Sequence, residues 1–128
     1  MHNRPPVRLQ RTRKRYNVTP IGAIYVGRPT LWGNPFSERP RIGHARGVIL
    51  YRSWIAGDLS PYILHRAGFG HDEIVSLERW RKQLLNQLHR LRGHDLQCWC
   101  PLTSAWCHAD TQLRLVNGPI EVLERLAA

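Results

Sequence analysis

All three cysteines of the chain, Cys98, Cys100 and Cys107, fall within ten residues, and His108 follows the last directly. Thiolates and imidazoles bind soft metals, or act as nucleophile and base, so their clustering marks a site. Three chemistries fit it. In the first, Cys107 or Cys100 is a nucleophile, His108 its base and Asp110 the group that orients the base. In the second, Cys98, Cys100, Cys107 and His108, or fewer of them, hold a zinc ion. The C-x-C-x6-C-H spacing departs from the usual two to four residues between paired ligands, and adjacent helical residues diverge by about 100°. In the third, the cysteines are small core residues and His108 caps a helix.

A second constellation lies far away in sequence, at Gly27-Arg28-Pro29-Thr30-Leu31-Trp32-Gly33-Asn34-Pro35-Phe36. Gly33 permits a positive φ, and Pro35 holds Asn34 extended. That geometry presents the Arg28 guanidinium and the Asn34 amide to a ligand, with Trp32 or Phe36 to stack on a base. The plainer alternative is a rigid loop whose aromatics plug the end of the core.

Charge is polarised. The formal net charge is +10, and residues 1–52 carry eleven of the basic residues against one acid, Glu38, while the remainder balances. Arg8, Arg11, Arg13, Lys14 and Arg15 form the densest run. Such a run neutralises phosphates, with affinity that falls as salt rises, and the excess of arginine over lysine suits phosphate recognition. Nucleotide or nucleic-acid contact is therefore the expected partnership, against the alternative of a merely solvated arm.

The elements that position these residues follow from the pattern of apolar side chains. Residues 1–22 read as a basic arm with a first strand near Val7–Arg11, and residues 23–128 as a single domain. Ala23–Val26 is a β-rich apolar run ended by Gly27-Arg28-Pro29 and reads as a buried strand. Leu31–Ile42 reads as a loop and Ala45–Ala56 as a helix stopped at Gly57. Ile74, Leu77, Trp80, Leu84, Leu88 and Leu91 repeat at spacings of three and four, which predicts a long amphipathic helix over 72–92. Asp95–Cys100 reads as a strand, and Ser104 or Thr103 as the cap of a helix over 105–116. Pro119 opens a last short helix. This alternation predicts a small single-domain α/β fold, a short, mostly parallel sheet flanked by helices. Cys100 then lies at the carboxyl edge of a strand, where open α/β sheets bind ligands. Cys107 falls in the first turn of the next helix, where the dipole favours a thiolate.

Taken together, Ile24-Tyr25-Val26-Gly27-Arg28-Pro29, Trp32-Gly33-Asn34-Pro35-Phe36, Cys98-Trp99-Cys100-Pro101 and Cys107-His108-Ala109-Asp110 resemble a family of short phage and bacterial proteins known only as a domain of unknown function. The resemblance spans residues 23–117, leaving the basic arm and the final helix outside. Pro101 follows Cys100 directly where the family pattern often inserts a residue, and the stretch to Cys107 carries an extra Trp106. The resemblance implies that Arg28, Trp32, Asn34, Cys100, Cys107, His108 and Asp110 belong to one site. It also implies a phage context, with a place in nucleotide or nucleic-acid metabolism. The expectation is a nucleotide- or nucleic-acid-acting enzyme with a Cys/His site, the alternative a zinc-stabilised, non-catalytic nucleic-acid-binding module. An odd cysteine count, no export signal and no apolar run near 20 residues lead to an expectation of reduced thiols in a cytoplasm, the host's if the chain is phage-encoded, and no membrane partner.

Overall fold

The structure, a computed structural model, describes residues 4–13, 18–37 and 39–128. Three short strands, β1 (Arg8–Gln10), β2 (Ala23–Tyr25) and β3 (Asp95–Cys98), form a parallel sheet in the order β1-β3-β2. Five α-helices accompany it among the described residues: α1 (His44–Ala56), α2 (Pro61–Arg66), α3 (His71–Gln87), α4 (His108–Val116) and α5 (Ile120–Ala127). The fold is α/β, and β3 is its centre.

Register places Arg8 and Ile24 opposite Leu96 from either side. Because side chains alternate along a strand, Leu96 and Cys98 share one face and Gln97 takes the other. Leu96 and Cys98 are buried in the core. On the far face Gln97 is also buried, its Oε1 accepting from Thr19 Oγ at 2.8 Å and its Nε2 donating to the Val18 carbonyl at 3.3 Å. A buried amide is tolerable only because both ends are satisfied.

The apolar stripe of α3 behaves as its spacing demands. Leu77 and Leu84 are buried, Ile74 and Trp80 pack against the core, and the stripe continues through Leu88 and Leu91 in a 3-10 turn over Leu88–Leu91. The anticipated long helix over 72–92 is thus an α-helix that tightens in its last turn. Helix α1 stops at Gly57 in the left-handed region (φ 83°), and Arg81 from α3 donates from Nε to the Trp54 carbonyl at 2.7 Å, satisfying an end carbonyl. Helix α2 has no counterpart in the sequence reading. It spans six residues, too few for a periodic stripe, although Ser60 caps it and Pro61 opens it.

Two boundaries move near the cysteines. Strand β3 ends at Cys98 rather than Cys100, and α4 begins at His108 rather than Ala105. Ser104 does not cap a helix: its Oγ accepts from the Trp106 N–H and donates to the Trp106 carbonyl, both at 3.1 Å, and so holds a turn. Cys107 itself is the extended N-cap residue of α4, with φ −156°. Among the described residues no helix is long and apolar enough to cross a membrane.

Candidate functional site

Strand β3 delivers Cys98 to the carboxyl edge of the sheet, the chain turns at Cys100-Pro101, and α4 brings Cys107 back. The sulfurs of Cys98, Cys100 and Cys107 all lie within 4.8 Å of one another, and those of Cys98 and Cys107 are 3.1 Å apart. Cys98 and Cys107 are buried and Cys100 is half-buried. The three cysteines are placed to hold a metal ion.

Thiols this close cannot titrate independently. The Cys107 thiol is pushed well below its ordinary range, because Cys100 and Cys98 both donate hydrogen bonds to its sulfur, against the cost of burial and with help from His108. Cys98 is pushed up by its bonds to Cys100 and Cys107 and by burial. Cys100 moves up to about 11, chiefly through its bond to Cys107.

The arm supplies the counter-charge. Arg8 stands opposite Leu96 in β1, so its side chain lies on the same face as Cys98. Only 9% of that side chain is exposed, and Nη1 lies 3.3 Å from Asp110. Nη2 donates to the carbonyls of Pro101, Leu102 and Ser104 at 2.8–3.3 Å, pinning the turn between Cys100 and Cys107. Nη1 is buried and, beyond this ion pair with Asp110, has no hydrogen-bond partner. Desolvation pulls the Arg8 pKa down, but its interaction with Cys107 and the charges of Cys107, Asp110 and Cys98 outweigh it.

His108 sits beside Cys107 yet outside the sulfur group. Its Nε2 donates to the Val26 carbonyl at 2.8 Å, and its ring meets Tyr51 edge-on at 5.4 Å between centroids. Since a carbonyl can only accept, Nε2 carries the proton of this bond. The orienting partner of His108 is thus a backbone carbonyl, and Asp110 pairs with Arg8 instead.

The first motif loop meets this group across a cleft of about 310 Å³ lined by Arg28, Asn34, His44, Cys98, Cys100 and His108, with Tyr25 and Trp99 at its wall. Glycine is required in the loop for space, and Gly33 does not adopt the positive φ its type permits. A Cβ on Gly33 would stand 2.9 Å from Arg28 Cγ, and one on Gly27 would strike the Tyr25 ring. The Tyr25 hydroxyl donates to the Arg28 carbonyl at 2.8 Å and accepts from Trp99 Nε1 at 2.9 Å, joining the two loops.

Trp32 and Phe36, anticipated as stacking surfaces, lie in the core. Asn34 is buried, donating from Nδ2 to the Gly47 carbonyl at 3.2 Å and accepting from the Phe36 N–H at 2.9 Å, so its amide first of all shapes the loop. The exposed aromatic at the cleft is Trp99, with Arg11 stacked over Tyr25 at 4.4 Å. Arg13 is exposed, and Lys14 and Arg15 lie outside the described residues.

Sequence reasoning passed over His44 and Gln112. His44 lines the cleft and donates from Nε2 to the Trp106 carbonyl at 2.7 Å. Gln112 is fully buried, its Nε2 reaching the Trp32 carbonyl and the Tyr51 hydroxyl, each at 2.8 Å. A signal existed: Gln112 stands four residues after His108, on the same inner helix face. Through these two residues α4 holds the first motif loop against the cysteine turn.

No curated protein and no solved structure matches the chain. The sequence model of a family described as a domain of unknown function, DUF4326, matches residues 7–118. The match reaches further towards the amino terminus than the motifs alone suggested, taking in Arg8 and strand β1, whose side chains complete the cysteine group. Loop, arm strand and cysteine turn are parts of one unit, and the chain belongs to the DUF4326 family.

Proposed function

We propose that this domain is a nucleotide-acting enzyme whose substrate occupies the cleft between the two motif loops. One observation carries the reading: Arg28 and Asn34 from the first loop line the same cleft as Cys98, Cys100 and His108 from the second. Its volume, about 310 Å³, stands at the lower end of the range for small-molecule pockets and suits a single nucleotide rather than a duplex. Arg28 meets a phosphate, and the face formed by Trp99 and Tyr25 meets a base. His108 and the sulfur wall, free or holding zinc, form the reacting side.

The test is calorimetric titration of a panel of nucleoside mono- and triphosphates into the full chain and into Arg28→Ala. Expected is micromolar binding of at least one nucleotide, weakened tenfold or more in the variant while its melting temperature stays close to wild type. Absence of binding across the panel overturns the reading.

A second reading, a zinc-stabilised module that grips nucleic acid without catalysis, draws support from the charge on residues 1–52, eleven basic residues against one acid. It predicts oligonucleotide binding whose affinity falls steeply with salt and drops in Arg13→Glu, with no turnover of any nucleotide.

A further inference from the structure

We infer that Cys98, Cys100 and Cys107 form a three-sulfur centre for a soft divalent cation of the zinc class. In this centre Arg8 is the buried counter-charge, and the fourth coordination position opens onto the Arg28 cleft. The inference deepens the enzyme reading above and rests on its cleft.

Four observations converge on it. First, a tetrahedral zinc thiolate with bonds near 2.3 Å sets its sulfurs about 3.8 Å apart. The Cys98 and Cys107 sulfurs are 3.1 Å apart and all three lie within 4.8 Å of one another, so small adjustments of about 1 Å bring them to ligating positions. Second, three thiolates on a divalent cation leave one net negative charge, which is costly to bury without a partner. Arg8 is there, on the same face of the sheet as Cys98 and only 9% exposed, its charge shared with Asp110, which lies 3.3 Å from Nη1. Third, the fourth ligand that the sequence suggests is placed elsewhere. Among the described residues the sulfur group comprises the three cysteines, and His108 stands outside it with Nε2 bonded to Val26. Fourth, the surroundings are one-sided. Cys98 and Cys100 line the cleft, whereas Cys107 and Arg8 are not among its lining residues. A cation held by all three sulfurs therefore has its uncovered side towards the cleft, where a water or a ligand oxygen completes the shell. Closed structural sites use four protein ligands, and three with an open position is the arrangement of Lewis-acid centres.

The experiment loads the full, reduced chain with zinc and with cobalt(II). Elemental analysis after desalting is expected to give one metal per chain, and competition with a chromophoric chelator gives the affinity. His108→Asn is expected to retain the metal, while Arg8→Gln weakens it about tenfold or more, the usual cost of losing an outer-shell partner. Each cysteine-to-serine change is expected to lose it. Because those three variants risk misfolding, the decisive readout is on the wild-type chain: azide added to the cobalt form is expected to shift its visible spectrum, as only an open position allows. A metal-free protein, including one with a Cys98–Cys107 disulfide, overturns the inference. So does loss of metal in His108→Asn, or a spectrum indifferent to azide. Nucleotide titration alongside metal loading separates the two proposals. Nucleotide binding by a chain that retains no metal after loading sinks only the centre, and an azide-responsive centre without nucleotide binding sinks only the substrate.

Discussion

Trp32, Gly33 and Asn34 are consecutive, yet each serves a different end. Trp32 fills the core, Gly33 yields room to the Arg28 side chain, and Asn34 folds the loop through its amide. Substitutions should separate these roles. Trp32→Ala removes a large buried side chain and is expected to cost about 3–5 kcal/mol of stability, visible as a large drop in melting temperature, with nucleotide affinity near wild type below that temperature. Gly33→Ala should do the reverse: its Cβ falls 2.9 Å from Arg28 Cγ, so Arg28 must move and nucleotide affinity should fall several-fold for a small change in melting temperature. Unchanged affinity in Gly33→Ala would show that Arg28 does not touch the ligand. The sequence named the residues of this loop but could not sort them, because residue type does not tell a buried tryptophan from an exposed one. The exposed tryptophan at the cleft is Trp99, which belongs to the other motif and directly follows β3.

Strand ends and helix starts carry the next level. The α3 stripe and the alternation that makes an α/β fold were legible, because long periodic segments constrain their own packing. The cysteine turn was not, since its shape depends on Arg8, about ninety residues away in sequence, donating to three of its carbonyls. A comparable long-range tie holds the other end of β3. Asp95 Oδ1 accepts from the Val7 N–H at 2.9 Å, and Arg4 donates to both carboxylate oxygens, at 3.1 and 2.6 Å. The Arg4 hydrogen bond is the main reason the Asp95 carboxyl lies below its ordinary range, burial opposing it and Val7 assisting. A carboxyl held lower in the folded state stabilises the fold above its unfolded pKa, near 4, and loses that contribution as pH falls through the folded value. Asp95→Asn should therefore melt below wild type at pH 7, and the gap should close as pH is lowered below about 4. A gap that persists in acid would assign the effect to packing.

At the scale of the whole molecule, the polarised charge has two destinations. Arg8 is consumed inside the fold, whereas Arg13 remains exposed. Composition reveals the excess of charge but not this division, which only strand pairing decides. Deleting residues 1–11 should consequently do more than remove basic charge. It takes away β1 and the counter-charge of the cysteines, so the melting temperature should fall sharply and all three thiols should react with a thiol reagent without denaturant. Retention of thiol protection in the truncated chain would show that the arm is dispensable to the core.

The order β1-β3-β2 also has a consequence in time. Both outer strands precede residue 26 and the strand that joins them begins at Asp95, so each pairs across at least seventy residues. A chain leaving the ribosome amino end first holds two strands with nothing between them until most of its length has emerged. Such distant pairing is slow to form. Arg8, Cys98 and Cys107 come together only then, so the sheet and the sulfur group are born in the same late event, and an interrupted chain has neither.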